Sequence, residues 1–194
     1  MRVGIFGGSF NPIHLGHLKL AQAALVGLGL SKIYFVPTFL TPLKNNQDQL
    51  PAATRAKLVR LAIQDNPRFA LSLCEVKRKG LSFTVDTLEY FKKKLGSETT
   101  LYFLTGADSL ENLSKWKSLE KIFKLCRLVV ASRPGFEFKN NSRSIIYLPF
   151  KAEDVSSSQI RERIAKKRSI KKLVPKSIIQ ELKKGVASSK LVKK

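Results

Sequence analysis

A doubly wound, Rossmann-like parallel α/β sheet is the fold that the sequence predicts, on three observations. Short apolar runs rich in β-branched and aromatic residues alternate with longer stretches of helical periodicity. The first of these runs passes through a glycine pair straight into an amphipathic helix. The 194 residues suffice for one sizeable core, whereas two full domains would be cramped.

Strands are expected at Val3 to Phe6, Ile33 to Val36, Leu101 to Thr105, Leu128 to Ala131 and Ile145 to Leu148. The helix after the first strand carries Leu18, Ala21, Ala24, Leu25 and Leu28 on one side, with Gly27 and Gly29 ending it. Leu58, Leu61 and Ala62 suggest a second helix, and Val85, Leu88, Glu89 and Phe91 to Leu95 a third that begins near Ser82 or Thr84. Residues Thr38 to Pro51 are polar, contain proline and lack periodicity, the composition of a loop over a site. One domain, residues 1–194, is therefore expected, with a helical C-terminal segment from about 156 to 194. In such a sheet the chemistry gathers in the loops beyond the carboxyl ends of the strands.

Two cysteines, Cys74 and Cys126, are too few for a disulfide framework and fit a reducing compartment, hence a cytoplasmic location. The N-terminus is too short and glycine-broken for a signal segment, and no run of ~18 apolar residues predicts a membrane span. Charge is the unusual figure: 36 Lys and Arg against 14 Asp and Glu give +22, and residues 161–194 alone carry +11 of it. Such a field attracts phosphates and polyanions alike, so nonspecific polyanion binding by the basic C-terminus is one expectation. A solvated basic helix is the other. Oligomeric state is not legible.

The run Gly7-Gly8-Ser9-Phe10-Asn11-Pro12-Ile13-His14-Leu15-Gly16-His17 is a strand, loop and helix start. Glycines let a backbone approach an oxyanion, Ser9 adds a hydroxyl, and a helix N-terminus adds N–H groups and partial positive charge. His14 and His17 are the only histidines, and a three-residue spacing lets both rings face one anion. Neither Cys nor further His lies nearby, so no protein-held metal is predicted. Ser156-Ser157-Ser158 ahead of Gln159-Ile160-Arg161 forms an N-cap and first turn that can serve a helix alone or an anion as well.

His14-Leu15-Gly16-His17 after Gly-Gly-Ser-Phe-Asn-Pro resembles the His-x-Gly-His nucleotidyltransferase superfamily. Further matches are similar to the bacterial nicotinate mononucleotide adenylyltransferases. They are Val36-Pro37, Thr41 to Lys44, Arg55, the segment Glu75 to Leu88, Gly106-Ala107-Asp108, Trp116, Ser132 to Gly135, Val155 to Arg161 and Leu173-Val174-Pro175. Leu43 stands where that family has histidine, and Phe83 where it has tyrosine. Pantetheine-phosphate adenylyltransferases share part of the pattern but have threonine at the position of His14 and are not expected to carry the middle landmarks.

The resemblance implies transfer of AMP from ATP to nicotinic acid mononucleotide, giving nicotinic acid adenine dinucleotide and pyrophosphate, with Mg²⁺ bound through the ATP phosphates. His14, His17 and Arg161 would be catalytic. Gly8, Ser9, Phe10, His14, His17, Gly106, Asp108, Ser157, Ser158 and Arg161 would bind ATP, and Lys44, Thr84 and Trp116 the acceptor. Asp108 can alternatively cap the turn after it, Thr84 can cap the helix there, and Trp116 can be core.

Overall fold

Described in the computed structural model are residues 1–42, 49–106, 112–132, 144–150 and 155–187. Elements follow in the order β1 (Arg2–Gly8), α1 (Leu15–Gly27), β2 (Lys32–Pro37), α2 (Ala52–Ile63), β3 (Phe69–Leu71), α3 (Cys74–Arg78) and α4 (Thr84–Leu95). Then come β4 (Thr100–Gly106), a 3₁₀ turn at Leu113–Lys115, α5 (Leu119–Leu125), β5 (Cys126–Ser132), β6 (Ile145–Pro149), α6 (Ser157–Ala165), a second 3₁₀ turn at Lys176–Ile178 and α7 (Ile179–Ala187). All five expected strands and the three expected helices are present. The edge strand β3 is an addition to them, because three residues are too few to show a period, and the same holds for the five-residue α3.

The strands form one six-stranded sheet in the order β3-β2-β1-β4-β5-β6, and every pairing is parallel. Alternation along the strands splits the core into two layers. Val3 and Ile5 of β1, Leu101 and Phe103 of β4, and Leu128 and Val130 of β5 face one layer, where Val85, Leu88 and Phe91 of α4 cover them. Phe6, Tyr102, Leu104 and Val129 face the other, covered by Leu20, Ala21, Ala24 and Leu25 of α1. Gly4 shares that second layer and has no room for a side chain, since a Cβ there would lie 2.8 Å from Ile33 Cγ1. Leu18 and Leu28, expected on the apolar face of α1, only pack against its rim, while Leu20 is buried.

Order reverses between β1 and β4, so the C-terminal ends of those two strands flank the switch point of the sheet. Gly7 and Gly8 end β1 and Gly106 ends β4. No helix among the described residues is long and apolar enough to cross a membrane.

Arg55 of α2 is 1% exposed, and its guanidinium holds three backbone segments to one another. It donates to Leu50 O at 2.9 Å, Ser9 O at 2.6 Å and Phe39 O at 3.1 Å. Burial pulls its pKa down to about 10, with Glu75 opposing, which leaves it cationic at neutral pH. Arg55→Met keeps much of the volume but strands one buried and two part-buried carbonyls, and is expected to lower unfolding free energy by ~3 kcal/mol in urea titration. Arg55→Lys, lacking the fork, should recover little of it. A loss below ~1 kcal/mol in Arg55→Met would mean that water replaces the guanidinium.

Candidate active site

Beyond β1 the chain turns at Phe10, whose φ of 44° places a non-glycine residue in the left-handed region. Burial holds it there: Phe10 is 1% exposed and packs edge-on to Phe6 at 5.4 Å and to His17 at 5.1 Å between ring centres. His14 then occupies the N-cap of α1 in extended conformation, and its N–H donates to His17 Nδ1 at 3.2 Å. Nδ1 therefore carries no proton in the neutral ring, and Nε2 of His17 must be the donor. The two imidazoles lie 3.7 Å apart, tilted by 33°.

Gly16 is what allows this stack. A Cβ at that position would lie 3.1 Å from both His14 Nδ1 and Val155 Cγ1, so a side chain would push the ring or the chain ahead of α6 aside. The glycine of His-x-Gly-His thus serves close approach rather than backbone freedom.

Both histidines are held below the ordinary imidazole range. Burial takes His14 down to about 4, and burial with the adjacent His14 lowers His17 strongly. Without substrate, then, the pair consists of neutral hydrogen-bond donors rather than cations, and among the described residues the fixed positive charge at this corner is Arg161. Its guanidinium donates to Asn11 O at 2.8 Å and to Ser158 Oγ at 3.1 Å. Ser156 caps α6 by accepting from Gln159 N at 3.1 Å, and Ser157 Oγ donates to Pro12 O at 2.9 Å. The serines and Arg161 accordingly stitch α6 onto the loop after β1. The N-terminus of α1 is less open than a bare helix end, because Leu15 N–H donates to Leu173 O at 3.0 Å.

On the other side of Ser9 lies a cavity of about 360 Å³, walled by Gly7, Gly8, Ser9, Phe83, Thr84, Phe103 and Trp116 among others. Trp116 is half-buried, edge-on to Phe103 at 5.8 Å and 88°. Thr84 is the first residue of α4, and the cap position belongs to Phe83, which makes no side-chain cap. Thr84 therefore does not cap the helix, and no side chain of the cap position serves the first-turn amides of α4. The Trp116 N–H is engaged by Leu113 O at 3.0 Å.

Of the expected site residues, His14, His17, Ser157, Ser158 and Arg161 gather at one corner, and Gly8, Ser9, Thr84 and Trp116 line the cavity. Phe10 is a buried prop. Gly106 sits open at the end of β4, where a Cβ would meet nothing within 4 Å. Lys44 and Asp108 lie outside the described residues, as do Leu43 and Gly135. Sequence reasoning misses the side chains of Glu75, Lys115 and Lys117 as cavity groups. Lys117 sits 4.6 Å above the Phe83 ring and 3.6 Å from Asp86. Only the placement of α3 and of the segment before α5 about the sheet brings them together.

A parallel sheet with its switch point at β1 and β4, a stacked histidine pair at the first helix, and a neighbouring aromatic cavity together define a nucleotidyltransferase. The family model described as cytidylyltransferase-like matches residues 5–163. A Clostridium botulinum protein named probable nicotinate-nucleotide adenylyltransferase is 40% identical over 190 residues, covering 92% of this chain and 94% of that protein. The Bacillus subtilis nicotinate-nucleotide adenylyltransferase is 37% identical over 177 residues, 91% of this chain and 93% of that one. Among solved structures, the Plasmodium falciparum nicotinic acid mononucleotide adenylyltransferase complexed with NaAD superposes with a TM-score of 0.76 at 20% identity, covering 95% and 96% of the two chains. The chain belongs to the cytidylyltransferase-like family and, within it, to the nicotinate-nucleotide adenylyltransferases.

The depressed imidazoles give a signed expectation. Below the ordinary value of 6.5 the unfolded chain takes up protons that folded His14 refuses until about pH 4. Stability therefore falls with falling pH across that window, His14 alone contributing on the order of 3 kcal/mol. Denaturant titrations from about pH 7.5 to 4 should show a flatter decline for His14→Asn than for the parent. Parallel curves would show that the ring titrates normally.

Proposed function

We propose that this protein transfers the AMP part of ATP to nicotinic acid mononucleotide, giving nicotinic acid adenine dinucleotide and pyrophosphate. The observation that carries this reading is the meeting, at Gly8 and Ser9, of a phosphate corner built from His14, His17 and Arg161 with an aromatic-walled cavity containing Thr84 and Trp116.

A 5′-phosphate oxygen of the acceptor attacks the α-phosphorus of ATP, a P–O bond forms, and the α–β bridging P–O bond breaks to release pyrophosphate. The attacking oxygen is already anionic, so no general base is required, and catalysis rests on positioning and on donors aimed at developing charge. The His17 Nε2–H is such a donor. Arg161, once released from Asn11 O, supplies a forked cation for phosphate oxygens. Ser157 and Ser158 supply hydroxyls from the first turn of α6, and Asp108, we propose, accepts from the adenosine ribose while Lys44 holds the acceptor phosphate.

Mg²⁺ enters as part of the nucleotide substrate. Among the described residues no group of three or more His, Cys, Asp or Glu could hold an ion, and a corner of neutral imidazoles with one guanidinium suits a triphosphate that brings its own cation. On the acceptor side, the uncapped amides of α4, the Thr84 hydroxyl, and Lys115 and Lys117 favour a ring carboxylate over an amide.

Purified protein with ATP, Mg²⁺ and a panel of phosphate-bearing acceptors tests the reading by product identification. Nicotinic acid mononucleotide should exceed its amide by at least ~100-fold in kcat/KM, because an amide sets NH₂ against N–H donors in a dry site. Thr84→Val should narrow that ratio, and folded His17→Ala should lose at least ~100-fold in turnover. Equal use of acid and amide, or full activity in His17→Ala, refutes the respective role.

Lys166, Lys167, Arg168, Lys171 and Lys172 are all exposed on the stretch after α6, which supports an accessory contact with a polyanion. Lys171→Gln with Lys172→Gln should weaken binding of a generic duplex and reduce its salt slope by ~1–2, with turnover intact. An unchanged slope excludes this face.

A further inference from the structure

Glu75 is the one acidic side chain among the described residues that wall the cavity, and the reaction outlined above does not use it. It is the second residue of α3 and 4% exposed. One carboxyl oxygen is held, accepting from Thr87 Oγ1 at 2.5 Å. The other, Oε2, is buried and makes no hydrogen bond of ordinary geometry, although the Ser82 hydroxyl lies close enough to act on the carboxyl. The cavity's Lys117 is turned to Asp86 of α4 rather than to Glu75. Burial holds the Glu75 pKa above the ordinary carboxylate value, outweighing the Thr87 and Ser82 hydroxyls and the field of Arg78, while Asp86 adds to the effect of burial. Arg55 of α2 also reaches the carboxyl with its field, but its own donors are committed to backbone carbonyls. A negative charge at this place is thus poorly compensated by the protein itself.

The acceptor read above has the complementary property. N-ribosylation makes its pyridine ring a pyridinium cation, while the ring carboxylate is anionic. The cavity offers one sign for each: donors at the α4 N-terminus for the carboxylate, and Glu75 for the ring. We infer that Glu75 supplies the negative charge that balances the pyridinium ring of the acceptor, so that the cavity selects a cationic heteroaromatic ring over an uncharged one of the same shape. This rests on nicotinic acid mononucleotide being the acceptor. Glu75 acts through its field, since Oε2 lies behind the cavity surface, and Trp116 adds a ring face to the same cation.

Trp116 is the only tryptophan, so its fluorescence reports occupancy of this cavity. The probes are N-methylnicotinate, a pyridinium carboxylate, and 3-methylbenzoate, which has the same outline and no ring charge. The parent protein should bind N-methylnicotinate at least ~10-fold more tightly, as expected for opposite charges a few ångströms apart at intermediate dielectric. In Glu75→Gln, which keeps an acceptor for Thr87, that preference should vanish through weaker binding of the cation, with 3-methylbenzoate bound as before or better. Thr87→Val removes the hydroxyl contact but not the charge, and should retain the preference.

A parent protein that does not discriminate overturns the inference without any variant. So does an equal loss of both probes in Glu75→Gln, or loss of the preference in Thr87→Val, either of which makes Glu75 a prop for α4 alone. Turnover of nicotinic acid mononucleotide by the parent protein is scored separately. Its failure with ring-charge discrimination intact refutes the assigned acceptor, not the role of Glu75.

Discussion

A guanidinium with almost no water around it holds the site of this protein in register. Arg55 satisfies carbonyls from Ser9, Phe39 and Leu50, which are the phosphate loop, the segment after β2 and the segment before α2. The Leu50 carbonyl is buried and the other two partly so, and an unpaired buried acceptor costs about 1–3 kcal/mol. One planar fork meets all three, which no other side chain could do from a single backbone position. The arrangement reaches further through Phe39, whose N–H donates to Ser82 Oγ at 3.0 Å just ahead of α4. The glycine loop and the wall of the aromatic cavity are therefore fastened to the same buried charge.

The phosphate corner handles charge differently. Two stacked imidazoles too buried to take up protons present dipoles without carrying charge, which lets them sit 3.7 Å apart without repulsion. Fixed dipoles aimed at a transferring phosphoryl group need no reorganisation as charge moves. Among the described residues Arg161 is the cation that remains, and the carbonyl of Asn11 engages it.

Legibility in the sequence follows the range over which each signal acts. Strands whose burial covers four or more residues, such as Leu101 to Thr105, announce themselves by composition, and the His14 to His17 motif by its local spacing. Ser156 reads as a cap and is one. What stays hidden depends on partners far away in the chain. Glu75 meets Thr87 through a turn between two helices, Lys117 reaches Phe83 from a different crossover, and the N–H of Trp116 is bonded to Leu113 inside a 3₁₀ turn that no periodicity of three residues reveals. The threefold grip of Arg55 is invisible for the same reason, although the residue itself matches a family landmark.

The bonds that join α6 and the following segment to the phosphate loop connect residues far apart in order of synthesis. Arg161 to Asn11 spans 150 positions, Ser157 to Pro12 spans 145, and Leu15 is bonded to the carbonyl of Leu173. During translation the glycine loop emerges first, yet its partners in α6 and the segment after it arrive only after the entire sheet has left the ribosome. A chain halted before α6 can pair its strands but has nothing to close the nucleotide corner. Closure of this corner is thus acquired late and all at once, as a mark of completed synthesis rather than of a half-built sheet.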